Sequence, residues 1–205
     1  MVVLDVDSTL ITAEVIELLA AHAGSRQQVA AITERAMRGE LDFATSLRER
    51  VATLAGLPVG VLTDVLHEIE LTPGAHELLA ELSRRGWPVG LVSGGFTEVV
   101  EPLAASLGIV HTRANRLEVA NGVLTGRVAG AVVDRAAKAA ALREYARAEG
   151  VDLADTIAIG DGANDLAMLA AAGFSVAFNA KQVVRDGADA AIDGRLDAVL
   201  GLIDR

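Results

Sequence analysis

Cysteine is absent from the 205 residues, which removes disulfides, thiol nucleophiles and thiolate-ligated zinc. Aromatic residues make up only 3% of the chain, so a core has to be assembled from Ala, Val, Leu and Ile, which a hydrophobic fraction of 52% supplies. No uninterrupted apolar run reaches the ~18 residues that would suggest a membrane span. No basic segment precedes the apolar start, so no secretion signal is expected and the cytoplasm is the expected compartment. Basic side chains are the minority charge: 18 Lys and Arg face 28 Asp and Glu, a net charge of −10. That balance lacks the basic footprint of a nucleic-acid partner. An anionic ligand would need a local site of metal, Lys, Arg and backbone N–H groups. Internal repeats and low-complexity linkers are also missing. The length suits one large domain, or a core with a small insert, in a monomer or homodimer.

What is present begins at once. Met1-Val2-Val3-Leu4 is an apolar, β-branched run that reads as a buried strand, and it leads into Asp5-Val6-Asp7-Ser8-Thr9-Leu10. In an open α/β sheet, ligands bind at the carboxyl ends of the strands. Two carboxylates placed there repel each other and lose hydration, so a positive group is expected between them. Mg²⁺ fits, because it takes oxygen ligands and keeps coordination positions for a substrate phosphate. Acidic pairs are nevertheless common in turns, and this pair decides nothing alone.

Residues 12–71 read as helices. Helical spacing covers 14–20, with Thr12 as the expected N-cap and Gly24 as the stop, followed by 25–38, 43–54 and a shorter piece ending near 69. From Thr72-Pro73-Gly74 onward the pattern alternates between helix and strand. Helices are expected over 75–85, 97–107, 136–149 and 166–172, with a final helix at the C-terminus. Strands are expected over 89–92, 156–159, 174–177 and 189–192. A hairpin over 117–126 turns at Asn121-Gly122. This alternation predicts an α/β fold, a doubly wound parallel sheet covered on both faces, with a helical bundle inserted after the first strand.

Three of these apolar strands stop at polar residues: the first at Asp5 and Asp7, the second at Ser93, the third at Asp161. If they are parallel, the three endings meet on one sheet edge. Gly160-Asp161-Gly162-Ala163-Asn164-Asp165 begins like a dinucleotide loop, but Asp165 stands where the third glycine belongs, and two acids would repel a pyrophosphate. Metal binding is therefore the better reading there, with a simple turn as the alternative. Ser93-Gly94-Gly95 is either a flexible strand-to-helix turn or a cradle of hydroxyl and N–H groups for phosphate. Lys138, near a helix start, would ordinarily be solvated. The four histidines show no ligand spacing.

Taken in order, Asp5-x-Asp7-x-Thr9, Ser93-Gly94-Gly95-Phe96, Lys138 and Gly160-Asp161-Gly162-Ala163-Asn164-Asp165 resemble the four motifs of the haloacid-dehalogenase superfamily, and within it the phosphoserine phosphatase family. The likeness covers essentially the whole chain. It implies a catalytic core over 1–11 and 72–205 and a helical cap over 12–71. It further implies Asp5 as the nucleophile and Asp7 as the acid and base. Mg²⁺ would be held by Asp5, the Asp7 carbonyl and Asp161, with Asp165 behind them. Ser93, Gly94 and Lys138 would bind phosphate, with Asn164 nearby. An amino-acid ester presents an ammonium and a carboxylate, which call for one acidic and one basic partner. By resemblance these are Glu14 and Arg50, with Phe43 covering the substrate and Met37 in the same pocket. The implied activity is Mg²⁺-dependent hydrolysis of L-phosphoserine to L-serine and phosphate in L-serine biosynthesis. The alternative is a related phosphatase or phosphotransferase acting on another small phosphomonoester.

Overall fold

Alternation inside the short apolar runs decides how the layers are built. In the computed structural model, which describes residues 1–204, the chain forms seven strands and ten α-helices among the described residues. After β1 (Val2–Leu4) come four helices, α1 (Val15–His22), α2 (Arg26–Met37), α3 (Phe43–Ala52) and α4 (Val61–Glu68). Then follow α5 (Ala75–Arg84), β2 (Val89–Phe96), α6 (Thr97–Ser106), β3 (His111–Ala120), β4 (Val123–Ala129), α7 (Arg135–Ala148) and β5 (Ile157–Gly160). The chain ends with α8 (Leu166–Leu169), β6 (Phe174–Phe178), α9 (Gln182–Arg185), β7 (Ala190–Ile192) and α10 (Leu200–Ile203).

The strands form one sheet in the order β4-β3-β2-β1-β5-β6-β7. Every neighbouring pair is parallel except the β3–β4 hairpin, so the doubly wound sheet carries one antiparallel edge strand. Side chains alternate across a strand. Val2 and Leu4 therefore enter one hydrophobic cluster, with α1, α5 and α6, while Val3 enters a second on the opposite face, with α7, α8 and α9. β1 is central: Val2 aligns with Val89 and Ile157, and Leu4 with Leu91 and Ile159. That register brings the ends of β2, β1 and β5 to one edge.

Four helices fill the 12–71 stretch. Their buried residues, among them Leu19, Val29, Leu47, Val51 and Val65, join the first cluster. The stretch leaves and re-enters the sheet side by side, through an Ile11–Leu71 bridge. Its far end lies along β4: Gly56 N–H donates to Leu124 O at 2.9 Å and Leu124 N–H to Leu57 O at 2.8 Å. These bonds occupy part of a strand edge that would otherwise be open to pairing.

Three local expectations need correction. Thr12 does not cap α1. Its hydroxyl reaches Glu70 O at 3.4 Å, Glu14 takes the capping position, and the first helical N–H, that of Val15, is accepted by the Asp7 carboxylate at 2.7 Å. Ser93-Gly94-Gly95 is not a turn after the strand: β2 runs through to Phe96, with a shift in register against β3 after Val92. β3 starts at His111, before the hairpin's apolar alternation begins, because His-Thr-Arg-Ala-Asn-Arg pairs along β2 despite its polar composition.

Candidate active site

The turn after β1 sets the geometry. Asp5 sits one residue beyond the strand, and residues 6–10 make a single wide turn closed by Ile11 N–H on Val6 O at 3.0 Å. Within it Asp7 is extended and Ser8 adopts a left-handed conformation (φ 58°) that non-glycine residues seldom take. The Ser8 hydroxyl donates to Glu14 at 2.9 Å, which helps hold that conformation. Both Asp7 oxygens are engaged: one accepts the Val15 N–H, the other the Ser93 hydroxyl at 2.8 Å. The Ser93 oxygen in turn accepts the Gly95 N–H at 2.7 Å. The turn after β1, strand β2 and a helix start are thus tied through one carboxylate. Glycine is required beside it, because a Cβ at Gly95 would lie 2.7 Å from Asp7 Oδ2. A Cβ at Gly94 would come within 3.1 Å of the Phe43 ring, which reaches over from α3.

Lys138 is not solvated. Asp134 caps α7 by accepting the Ala137 N–H at 2.9 Å, and the first turn of the helix carries Lys138 fully buried into the sheet edge. There its ammonium lies 2.5 Å from Asp5 and 2.6 Å from Asp165. Burial alone would lower the Lys138 pKa, but the two carboxylates outweigh it and hold the group protonated. One ammonium among three acids leaves excess negative charge. Burial, followed by the charge of Asp165, pushes Asp5 well above the usual carboxylate range, and the same two causes push Asp161 up to about 6.

Carboxylate oxygens of Asp5, Asp161 and Asp165 lie within 4.8 Å of one another. Asp165 spends one oxygen on Lys138 and the other on the Gly162 N–H at 3.0 Å. Asp5 and Asp161 each keep one oxygen without a donor among the described residues. Free hard oxygens beside uncompensated negative charge are a donor set that suits a hard divalent cation. Asp165 is better placed to orient Lys138 than to ligate.

A cavity of about 500 Å³ opens from this cluster. Asp5, Asp7, Gly94, Gly95, Asp161 and Asn164 line it together with Glu14, Met37, Phe43 and Arg50. Ser93, Lys138 and Asp165 stand buried behind these carboxylates, Ser93 bonded to Asp7 and Lys138 to both Asp5 and Asp165. The structure therefore gathers every candidate residue in or directly behind one cavity, with Met37 at its rim, 69% exposed. Sequence reasoning missed two residues. Arg135, the first residue of α7, lines the same cavity. Asn115 is buried in β3, where its amide donates to Gly94 O at 2.8 Å and its carbonyl accepts the Val133 N–H at 2.7 Å. It ties the Gly94 segment to the entry of α7, and nothing in Thr-Arg-Ala-Asn-Arg signalled it.

Glu14 is pushed up to about 7, first by burial and then by the charge of Asp7. A carboxyl raised in the folded state contributes stability below its unfolded value of 4.5, and that contribution is lost as pH rises through about 7. Glu14→Gln removes the penalty. It is expected to stabilise the metal-free protein by up to about 3 kcal/mol at alkaline pH and by little near pH ~4.5. Thermal melts of both proteins across that range check the sign.

The family model for haloacid dehalogenase-like hydrolases matches residues 2–170. The chain belongs to that family. Among curated members, this haloacid dehalogenase-like hydrolase is 55% identical over 204 residues to phosphoserine phosphatase SerB2 of Mycobacterium tuberculosis, a match covering 99% of this chain and 50% of that protein. It is 54% identical over 185 residues to a phosphoserine phosphatase of Streptococcus thermophilus, covering 90% of this chain and 86% of that one. It spans about half the length of the Mycobacterium relative and of a Streptomyces coelicolor phosphoserine phosphatase, to which it is 58% identical. Among solved structures it is similar to a phospho-aspartyl intermediate analogue of phosphoserine phosphatase, with a TM-score of 0.92 and 42% identity over 98% of this chain and 97% of that one. A substrate-bound phosphoserine phosphatase complex matches at a TM-score of 0.92 and 41% identity, over 98% and 96% of the two chains. No described helix is long and apolar enough to cross a membrane.

Proposed function

We propose that this hydrolase cleaves L-phosphoserine to L-serine and inorganic phosphate, the step that releases serine in L-serine biosynthesis. The observation that carries the reading is the composition of the cavity. It brings two carboxylates with a buried lysine behind them together with one acid, Glu14, and one base, Arg50. Such a pocket suits a small ester bearing phosphate, ammonium and carboxylate together. The names of the relatives agree with that reading.

In the first step an Asp5 oxygen forms a bond to phosphorus as the bond from phosphorus to the serine oxygen breaks. Asp7 gives its proton to that oxygen, and L-serine leaves. In the second step Asp7 takes a proton from water, the water oxygen bonds to phosphorus, and Asp5 is released as a carboxylate. Splitting one difficult displacement into two through a labile acyl phosphate is the gain from a carboxylate nucleophile. Lys138, the Gly94 N–H and the Ser93 hydroxyl, once it turns from Asp7 to the ester, stabilise charge on the phosphoryl oxygens, with Asn164 beside them, while the Gly95 N–H stays on the Ser93 oxygen. Mg²⁺ is the ion assigned to Asp5, the Asp7 carbonyl and Asp161, with Asp165 behind; when bound, it supplies further neutralisation of those oxygens. Glu14 takes the ammonium and Arg50 the carboxylate, while Phe43 and Met37 shield the ester from water.

In this reading 1–11 and 72–205 form the catalytic core, and 12–71 acts as a cap that closes over the substrate. Amide exchange in α2 and α3 is expected to slow when phosphate or L-phosphoserine binds; unchanged protection across 12–71 contradicts a closing cap.

The test is phosphate release from L-phosphoserine, phosphothreonine, phosphoethanolamine and a sugar phosphate, with Mg²⁺ and with chelator. Preference for L-phosphoserine that is lost with chelator supports the proposal. Equal or better turnover of phosphoethanolamine removes the carboxylate role of Arg50, and no release from any ester contradicts the activity itself.

A further inference from the structure

Ser46 carries the single buried side-chain polar atom without a hydrogen-bond partner among the described residues, its Oγ. The residue is 2% exposed, and it lines the cavity. A serine inside a helix commonly bonds its hydroxyl back to the carbonyl three or four positions earlier. Here the carbonyl four back, that of Asp42, accepts the Ser46 N–H at 2.9 Å, and the hydroxyl takes no part. An unsatisfied buried hydroxyl is a cost to the free protein. Something that enters the cavity can relieve it.

The position of Ser46 says which group that is. Phe43, Ser46, Leu47 and Arg50 follow the three- and four-residue spacing of one helical face, and all four line the cavity. The Nε–H of Arg50 is spent on Ser46 O at 3.3 Å, which anchors the guanidinium to the same turn of α3. Its two terminal nitrogens have no acceptor among the described residues. A carboxylate that meets those nitrogens lies beside a hydroxyl one helical turn away that has nothing else to bond. The acidic partner for an ammonium, Glu14, belongs to a different element, the start of α1, and the phosphoryl-binding groups belong to β2 and α7.

We infer that Ser46 is a specificity-determining residue, whose hydroxyl donates to the α-carboxylate of the bound amino-acid phosphoester alongside Arg50. This inference rests on the proposed function and adds a donor to it.

The test compares wild type with Ser46→Ala on L-phosphoserine and on phosphoethanolamine, which has the phosphate and ammonium but no carboxylate. Loss of one hydrogen bond to a charged group predicts a roughly tenfold rise in KM for L-phosphoserine, with kcat within about twofold. The kcat/KM for phosphoethanolamine should not change. The melting temperature of the free variant should hold or rise, because the alanine leaves no unsatisfied group, whereas a structural role would lower it. An unchanged KM for L-phosphoserine, equal losses on both esters, or a lowered melting temperature overturns the assignment while leaving the function standing. Wild-type protein that releases no phosphate from L-phosphoserine overturns the proposed function, and the Ser46 assignment with it.

Discussion

Asp5→Asn is expected to lower kcat for phosphate release by about 10⁴-fold or more, because the nucleophile in the proposed reaction is replaced by an amide that cannot form the acyl phosphate. The fold should survive. The amide has nearly the shape of the carboxylate, and Lys138 keeps its contact with Asp165 at 2.6 Å. The substitution also removes one of three clustered acids whose mutual repulsion the single ammonium does not cancel. Melting temperature should therefore move little, or rise, while turnover collapses. Single-turnover assays with calorimetry on the same preparation separate the two. An Asp5→Asn protein that retained more than a few per cent of wild-type kcat would remove Asp5 from the nucleophile's place.

Lys138→Met should fail in the opposite way, in stability as well as in rate. Lys138 is fully buried between Asp5 and Asp165, and breaking a buried ion pair from one side leaves uncompensated charge. The expected loss is about 3–5 kcal/mol, which for a chain of this size corresponds to a fall in melting temperature on the order of 10 °C. The loss should depend on pH. Without the ammonium, the folded-state pKa of Asp5 rises further above its ordinary value of 3.8. A carboxyl raised in the folded state contributes stability at low pH that disappears as pH rises. The deficit should therefore be small in acid and grow toward alkaline pH. Equal melting temperatures of variant and wild type at pH ~8 would contradict the reading of Lys138 as the neutralising charge of the cluster.

The convergence of Asp5, Ser93 and Asp161 was legible because it needs only three short apolar strands and parallel pairing, and β2, β1 and β5 are adjacent. The helical character of 12–71 was legible from spacing and glycine stops. Interactions between distant segments were not. Capping of α1 by Asp7 replaces a cap expected from Thr12, because the turn over 6–10 brings a carboxylate from the sheet edge to a helix start. Lys138 resembles any lysine in a first helical turn until β1 and Asp165 close around it. Polar β3 hid both its own strand and Asn115, since pairing with β2 decides that segment and side-chain alternation does not. Ser46 carried no signal, because a serine in a helix stands out only once every neighbour has been found to leave its hydroxyl alone.

Passage of the phosphoryl group through Asp5 can be caught by rapid quenching. L-Phosphoserine labelled in its phosphate is mixed with excess protein and Mg²⁺ and stopped in acid within the first turnover. Borohydride then reduces any acyl phosphate, and the peptide holding residues 1–26 is sequenced. Acid-stable, protein-bound label is expected in the quenched sample, with homoserine at position 5 after reduction. Label at another residue, or full phosphate release with no protein-bound phosphoryl group at any time point, would contradict it.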